Sequence, residues 1–183
     1  MRLITTSALM FFLQISTTAQ TKLFTKTGSI SFFSKTNIEN ISARNNKALA
    51  VWELASGKIE FSVLMKGFEF EKALMQEHFN EDYVESDKYP KAILKAVVEN
   101  SNSILLTTDK TYSVKVNGTL TMHGVTKPIS TTAIIKVKDA IVSATAVLPV
   151  LLSDYNIKIP AVVADNINKK IDISINIPAF KSL

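Results

Sequence analysis

Residues 112–122 read YSVKVNGTLTM and alternate without a break. Tyr112, Val114, Val116, Leu120 and Met122 fall in one phase, and Ser113, Lys115, Asn117, Thr119 and Thr121 in the other. Period-2 alternation of this kind belongs to a strand with one apolar and one wet face. At ~3.4 Å per residue the stretch spans about 37 Å, long against the usual five or six residues. Gly118 falls in the apolar phase, where a missing Cβ marks a bend or a close approach of backbone. His123-Gly124 follows as a tight turn, and the chain returns from Val125 as a second strand. A long, bent strand of this type restricts the fold to a curled antiparallel sheet or a closed barrel with an apolar inside.

The remaining apolar runs keep the same period. Ile30 and Phe32 are in phase in a first strand. Asn45-Asn46-Lys47 reads as a turn between Ile41 and a run from Ala48 to Leu54. Ile59, Phe61, Val63 and Met65 share a face. Lys66-Gly67 then shifts the phase, so that Phe68 and Phe70 carry the apolar side onward, and a glycine at such a shift predicts a bulge. Residues 71–79 change period: Leu74, Met75 and His78 or Phe79 fit helical spacing, predicting a short helix, with His78 packed under it or capping its end. A polar, acidic connection covers 80–90, and strand character resumes at 91–99. Further on, Ile129 to Val137, Val142 to Leu152 and Ile171 to Ile177 each alternate. Pro149 inside the second of these implies an edge or a bulge. The count is about eight antiparallel strands and one helix, so the class is all-β with one short helix, and a barrel is favoured by the strand lengths.

Residues 1–20 stand apart. Arg2, an apolar run from Ala8 to Ile15 and small residues ending at Ala19 make a secretory signal peptide, cleaved after Ala19 or Gln20. The expected organisation is a 1–20 leader and one domain over 21–183, in the periplasm or outside a bacterial cell. The apolar run is too short to span a bilayer, so no integral membrane segment is expected once the leader is removed. The chain has no cysteine. Disulfides, thiolate metal sites, a cysteine nucleophile and a lipoprotein anchor are excluded. The net charge of +5, one unit of it from Arg2, comes from scattered lysines and not from a basic tract, so no nucleic-acid partner is expected.

Little in the sequence carries chemistry. The two histidines, His78 and His123, are far apart and share no metal-ligand spacing. His123 continues the polar phase of its strand. Its plain role is a hydrogen bond at the barrel rim, and the alternative is contact with a ligand's head. Glu77, Glu81, Asp82, Glu85 and Asp87 cluster near the helix end, but lack the spacing of a calcium loop and read as a solvated face. No phosphate loop and no nucleophile elbow occurs. No catalytic residue, metal or cofactor is expected.

Several stretches in a fixed order resemble one family. They are GKIEFSV at 57–63, LMQEHFNE at 74–81, ESDKYPKA at 85–92, VNGTLTMHGVTKP at 116–128, and later Asp154-Tyr155 and IKIP at 157–160. Together they are similar to the YceI-like family of secreted bacterial proteins, over most of residues 28–177. The resemblance implies a lipocalin-like antiparallel barrel with a helix closing one side, holding a polyisoprenoid chain such as a quinone tail or a polyprenol. The expected partner is thus an apolar lipid, for transport or storage, and a homodimer is compatible. Ile59, Phe61, Val63, Met65, Val114, Val116, Leu120 and Met122 are expected to line the interior. Leu74, Met75 and Phe79 are expected to cover one side, with Phe68, Phe70, Tyr112 and His123 also meeting the ligand. Three other readings stand beside this one: an outer-membrane barrel with its apolar faces outward, a barrel enzyme using His123 and an acid, and a surface module with a filled core.

Overall fold

A computed structural model describes residues 21–35, 40–160 and 168–183. The chain runs β1 (Lys22–Lys35), β2 (Asn40–Glu53), β3 (Lys58–Leu64), β4 (Glu69–Phe70), α1 (Ala73–His78), β5 (Lys91–Val98), β6 (Lys110–Met122), β7 (Val125–Lys138), β8 (Ile141–Leu151) and β9 (Lys170–Ser182). The sheet order is β1-β9-β8-β7-β6-β5-β3-β2, and β2 pairs back onto β1, which closes an eight-stranded antiparallel barrel. The two-residue β4 adds to β2 at Ala43 and Arg44, just where β3 has left it. The apolar phase of each strand points inward. Val116, Leu120 and Met122 of β6 are buried, while Lys115, Asn117 and Thr119 are exposed. An outer-membrane barrel needs the reverse.

β6 and β7 pair in register from Lys110↔Val137 to Met122↔Val125. The intervening turn has His123 at φ 51° and Gly124 at φ 73°, the left-handed pair that a two-residue hairpin needs. Gly118 sits where two strands come together. A Cβ there would lie 2.1 Å from the Lys95 carbonyl oxygen.

Two sequence expectations change. Asn45-Asn46-Lys47 is no turn. β2 runs straight through it, and two compensating bulges against β1 absorb the polar residues, between Thr25 and Gly28 and between Gly28 and Ile30. Asn45 is 1% exposed; its Nδ2 donates to the Leu64 carbonyl and its Oδ1 accepts from the Lys47 N–H. A buried amide that stitches a bulge to a neighbouring strand looks like a turn residue in sequence. Likewise Lys66-Gly67 is a 3-10 turn over Met65–Gly67, not a bulge.

The barrel is incompletely zipped. β7 and β8 pair only from Ala133↔Ala146 to Lys138↔Ile141. Beyond that they part, and Pro149 falls in the stretch of β8 that pairs with β9 alone, opposite Asp172, where its missing N–H takes no bond from a β7 ladder. The segment after β8 folds back over this seam: Tyr155 and Ile157 are 2% and 6% exposed.

The two ends of the barrel differ. One is solid. Trp52 is fully buried, its Nε1 donates to Ser101 Oγ at 3.1 Å, and its ring meets Phe180 edge-on at 5.7 Å. Ile59, Val98, Val116 and Val137 pack in this half, and Ile104 buries beneath the β5–β6 connection. The other end, toward the His123-Gly124 turn and α1, is hollow.

Candidate functional site

The hollow half holds a cavity of about 240 Å³. Its walls come from the ends of strands that converge there: Phe61 and Val63 of β3, Leu94 of β5, Leu120 and Met122 of β6. The opposite wall is Ile30 and Phe32 of β1, Leu148 and Val150 of β8, and Ile171 and Ile173 of β9. Leu152 and Ile157, from the segment over the seam, complete it.

The lid is aromatic. Phe68 and Phe70 leave the 3-10 turn after β3, and Phe79 follows α1. With Phe32 they form a cluster whose ring centroids lie 5.0–5.9 Å apart. Such stacked, tilted and edge-on pairs add about 0.5–1.5 kcal/mol each beyond the area they bury. Met65 and Met75 fill the remaining edges. Only Ser34, His78 and Tyr83 among the lining residues carry an oxygen or nitrogen in the side chain.

Of the residues singled out in the sequence, Phe61, Val63, Met65, Phe68, Phe70, Met75, Phe79, Leu120 and Met122 line the cavity. Ile59 and Val116 point inward but belong to the packed half. Tyr112 and Val114 are half-buried beyond it, and the Tyr112 hydroxyl accepts from the Leu105 N–H. Leu74 does not cover anything: it is 61% exposed on the outer side of α1. His78 borders the cavity but is exposed, so it is not packed under the helix. The walls from β1, β8 and β9 were absent from the expected site. Their signal was the same alternation, in Ile171, Ile173 and Ile175 for instance, and closure of the barrel is what brings them opposite β3 and β6.

His123 lies behind the wall. Its Nδ1 is 2.9 Å from the Tyr155 carbonyl oxygen and its Nε2 is 2.7 Å from Glu85 Oε2, with the Tyr89 ring edge-on at 4.7 Å. Both nitrogens face acceptors, and only a doubly protonated ring donates to both at once. The bond to His123 holds the Glu85 carboxyl below its usual range. The rest of the acidic cluster is dispersed: Asp87 pairs with Lys66, and no group of three potential metal ligands occurs among the described residues.

A closed antiparallel barrel with one packed end and one apolar hollow defines a protein built around an internal pocket. The chain belongs to the YceI-like domain family, whose model matches residues 6–179. The fold is shared with a polyisoprenoid binding domain from Saccharophagus degradans, at a TM-score of 0.77 and 14% identity, covering 90% of this chain and 100% of that one. It is also shared with BcnA of Burkholderia cenocepacia, at 0.66 and 16%, covering 81% and 94%. A Campylobacter jejuni YceI protein matches at 0.53 and 18%, covering 98% and 93%. No curated protein matches the sequence.

Proposed function

We propose that this chain is a non-catalytic binding protein that takes an isoprenoid-type chain, such as a quinone tail or a polyprenol, into the hollow half of its barrel. The observation that carries the reading is the lining: a walled space whose surface is almost wholly aliphatic and aromatic. Burial in such a space gains about 0.8 kcal/mol per CH₂-sized group. The family and the Saccharophagus degradans domain, described as polyisoprenoid-binding, agree with it. The cavity lies just under the usual ~300–1,000 Å³ of ligand pockets, so it suits a few isoprene units.

The leader-like residues 1–20 support export to the periplasm or the medium, where the protein would carry or store such a chain. Edman sequencing of the exported protein tests that part: a start at Gln20 or Thr21 is expected, and a start before Gln20 in the exported form refutes it.

The binding itself is tested by native mass spectrometry of protein purified without detergent, followed by organic extraction. A bound mass in a prenyl series is expected. A bare chain that takes up neither quinones nor prenols leaves the barrel without this function.

A further inference from the structure

α1 does not end cleanly. After His78 the chain widens into a π turn over Phe79–Tyr83, and the Val84 N–H donates to the Phe79 carbonyl five residues back. The widening matters for side-chain direction. In an α-helix, residues five apart stand about 140° from each other. A π turn, with more residues per turn, narrows that separation to about 50°, and such turns recur at functional sites. Here His78 and Tyr83 both line the cavity beside Phe79.

Their surroundings distinguish them from every other lining residue. His78 is the one exposed residue among those that line the cavity, so it marks the place where the hollow meets water. Tyr83 is half-buried just inside. Neither ring has a hydrogen-bond partner among the described residues, whereas the third polar lining group, Ser34 Oγ, is occupied by the Asn168 N–H. Burial and the charge of Asp82 push the Tyr83 hydroxyl up, so it remains a neutral donor. Glu77 and Glu81 belong instead to a separate groove with Lys66 and Asp87. The mouth therefore offers two unspent polar groups beside the charge of Asp82.

We propose that His78 and Tyr83 form the polar end of the binding site and select a chain that terminates in a neutral oxygen-bearing head, carbonyl or hydroxyl. The apolar tail fills the hollow and the head stops at the mouth, where these two groups meet its oxygen. A phosphate head is disfavoured there by Asp82. The inference rests on the reading of the cavity as a site for an apolar chain.

Titration calorimetry with four probes of matched C10 length, which the hollow can hold, tests it: a prenyl alcohol, a quinone with a prenyl tail, the isoprenoid hydrocarbon and the prenyl monophosphate. Tyr83→Phe and His78→Leu are each expected to weaken the alcohol or the quinone about fivefold, one hydrogen bond's worth. The same variants leave the hydrocarbon unchanged within about twofold, and an unchanged melting curve certifies their fold. Loss confined to the quinone assigns a carbonyl head, and loss confined to the alcohol assigns a hydroxyl. Equal effects on all four probes, or none, overturn the proposal. A wild-type protein that prefers the phosphate overturns it too. Failure of every probe, the hydrocarbon included, refutes the apolar-chain reading and removes this one with it.

Discussion

His123 and Glu85, thirty-eight residues apart, meet at 2.7 Å through Nε2 and Oε2. Through the other ring nitrogen, His123 also holds the Tyr155 carbonyl. One side chain thus ties the β6–β7 turn to the connection after α1 and to the segment that covers the β7–β8 seam. The three joined places are all wound left-handed: Glu85 at φ 43°, His123 at φ 51° and Asn156 at φ 57°. Non-glycine residues hold such a backbone only where surrounding contacts fix it.

Replacing His123 by asparagine separates backbone from bonding. Asparagine tolerates positive φ, so the turn survives. Its shorter side chain does not span both partners. Urea unfolding is expected to show a loss of about 1–3 kcal/mol. A midpoint equal to wild type would mean that the two bonds contribute nothing net.

The pH dependence follows from Glu85. Its carboxyl is held low in the folded protein, chiefly by the hydrogen bond from His123. A carboxylate that is more acidic folded than unfolded contributes stability above its unfolded value. That contribution fades as pH falls below the ordinary carboxylate value of 4.5 and through the folded one. Glu85→Gln is therefore expected to lie below wild type near neutrality and to converge on it in acid. Urea midpoints measured from pH 7 down to pH 3 check this. Glu53 and Asp109 are also held low and remain in both proteins, so the difference between the curves isolates Glu85.

Gly118→Ala probes the contact between β5 and β6. The new methyl would stand 2.1 Å from the Lys95 carbonyl oxygen and 2.5 Å from the Ala96 Cα, and neither is a flexible side-chain end. The strands have to separate locally, at an expected cost of about 2 kcal/mol or more. Thermal unfolding reads it directly.

A pair of substitutions distinguishes the two halves of the barrel. Ala92 lines the cavity and is half-buried, so Ala92→Phe fills empty space. Uptake of a prenyl alcohol should fall by tenfold or more, about 1.4 kcal/mol, with little loss of stability. Ile59→Val removes a methyl from the packed half instead. It should cost about 0.5–1.5 kcal/mol in unfolding and leave uptake unchanged. Reversed results would move the binding site to the Trp52 end.

Strand identity was written in the residues themselves. β6, β3 and β9 show their inward faces by alternation alone, and His123-Gly124 shows the hairpin. What alternation does not encode is depth. Val116 and Leu120 stand in one phase of one strand, yet the first packs into a solid and the second borders a hollow. The difference lies across the barrel, where Trp52 and Phe180 fill one half, while in the other the rings of Phe32, Phe68, Phe70 and Phe79 gather at the lid and leave the space between the walls open. Leu74 misled for a related reason. A single short helix has too few turns to show which side faces in, and the shift to a π turn rotates the inward face to Met75, Phe79 and Tyr83. The seam between β7 and β8 had a faint sign in Pro149, but nothing in the sequence indicated that Tyr155 and Ile157 would plug it.

The Trp52 plug makes the barrel a blind alley. A chain bound as proposed could not pass through; it would back out along the path by which it came in. Loading and unloading would then share one entrance, and the head would be the first part of the chain to leave.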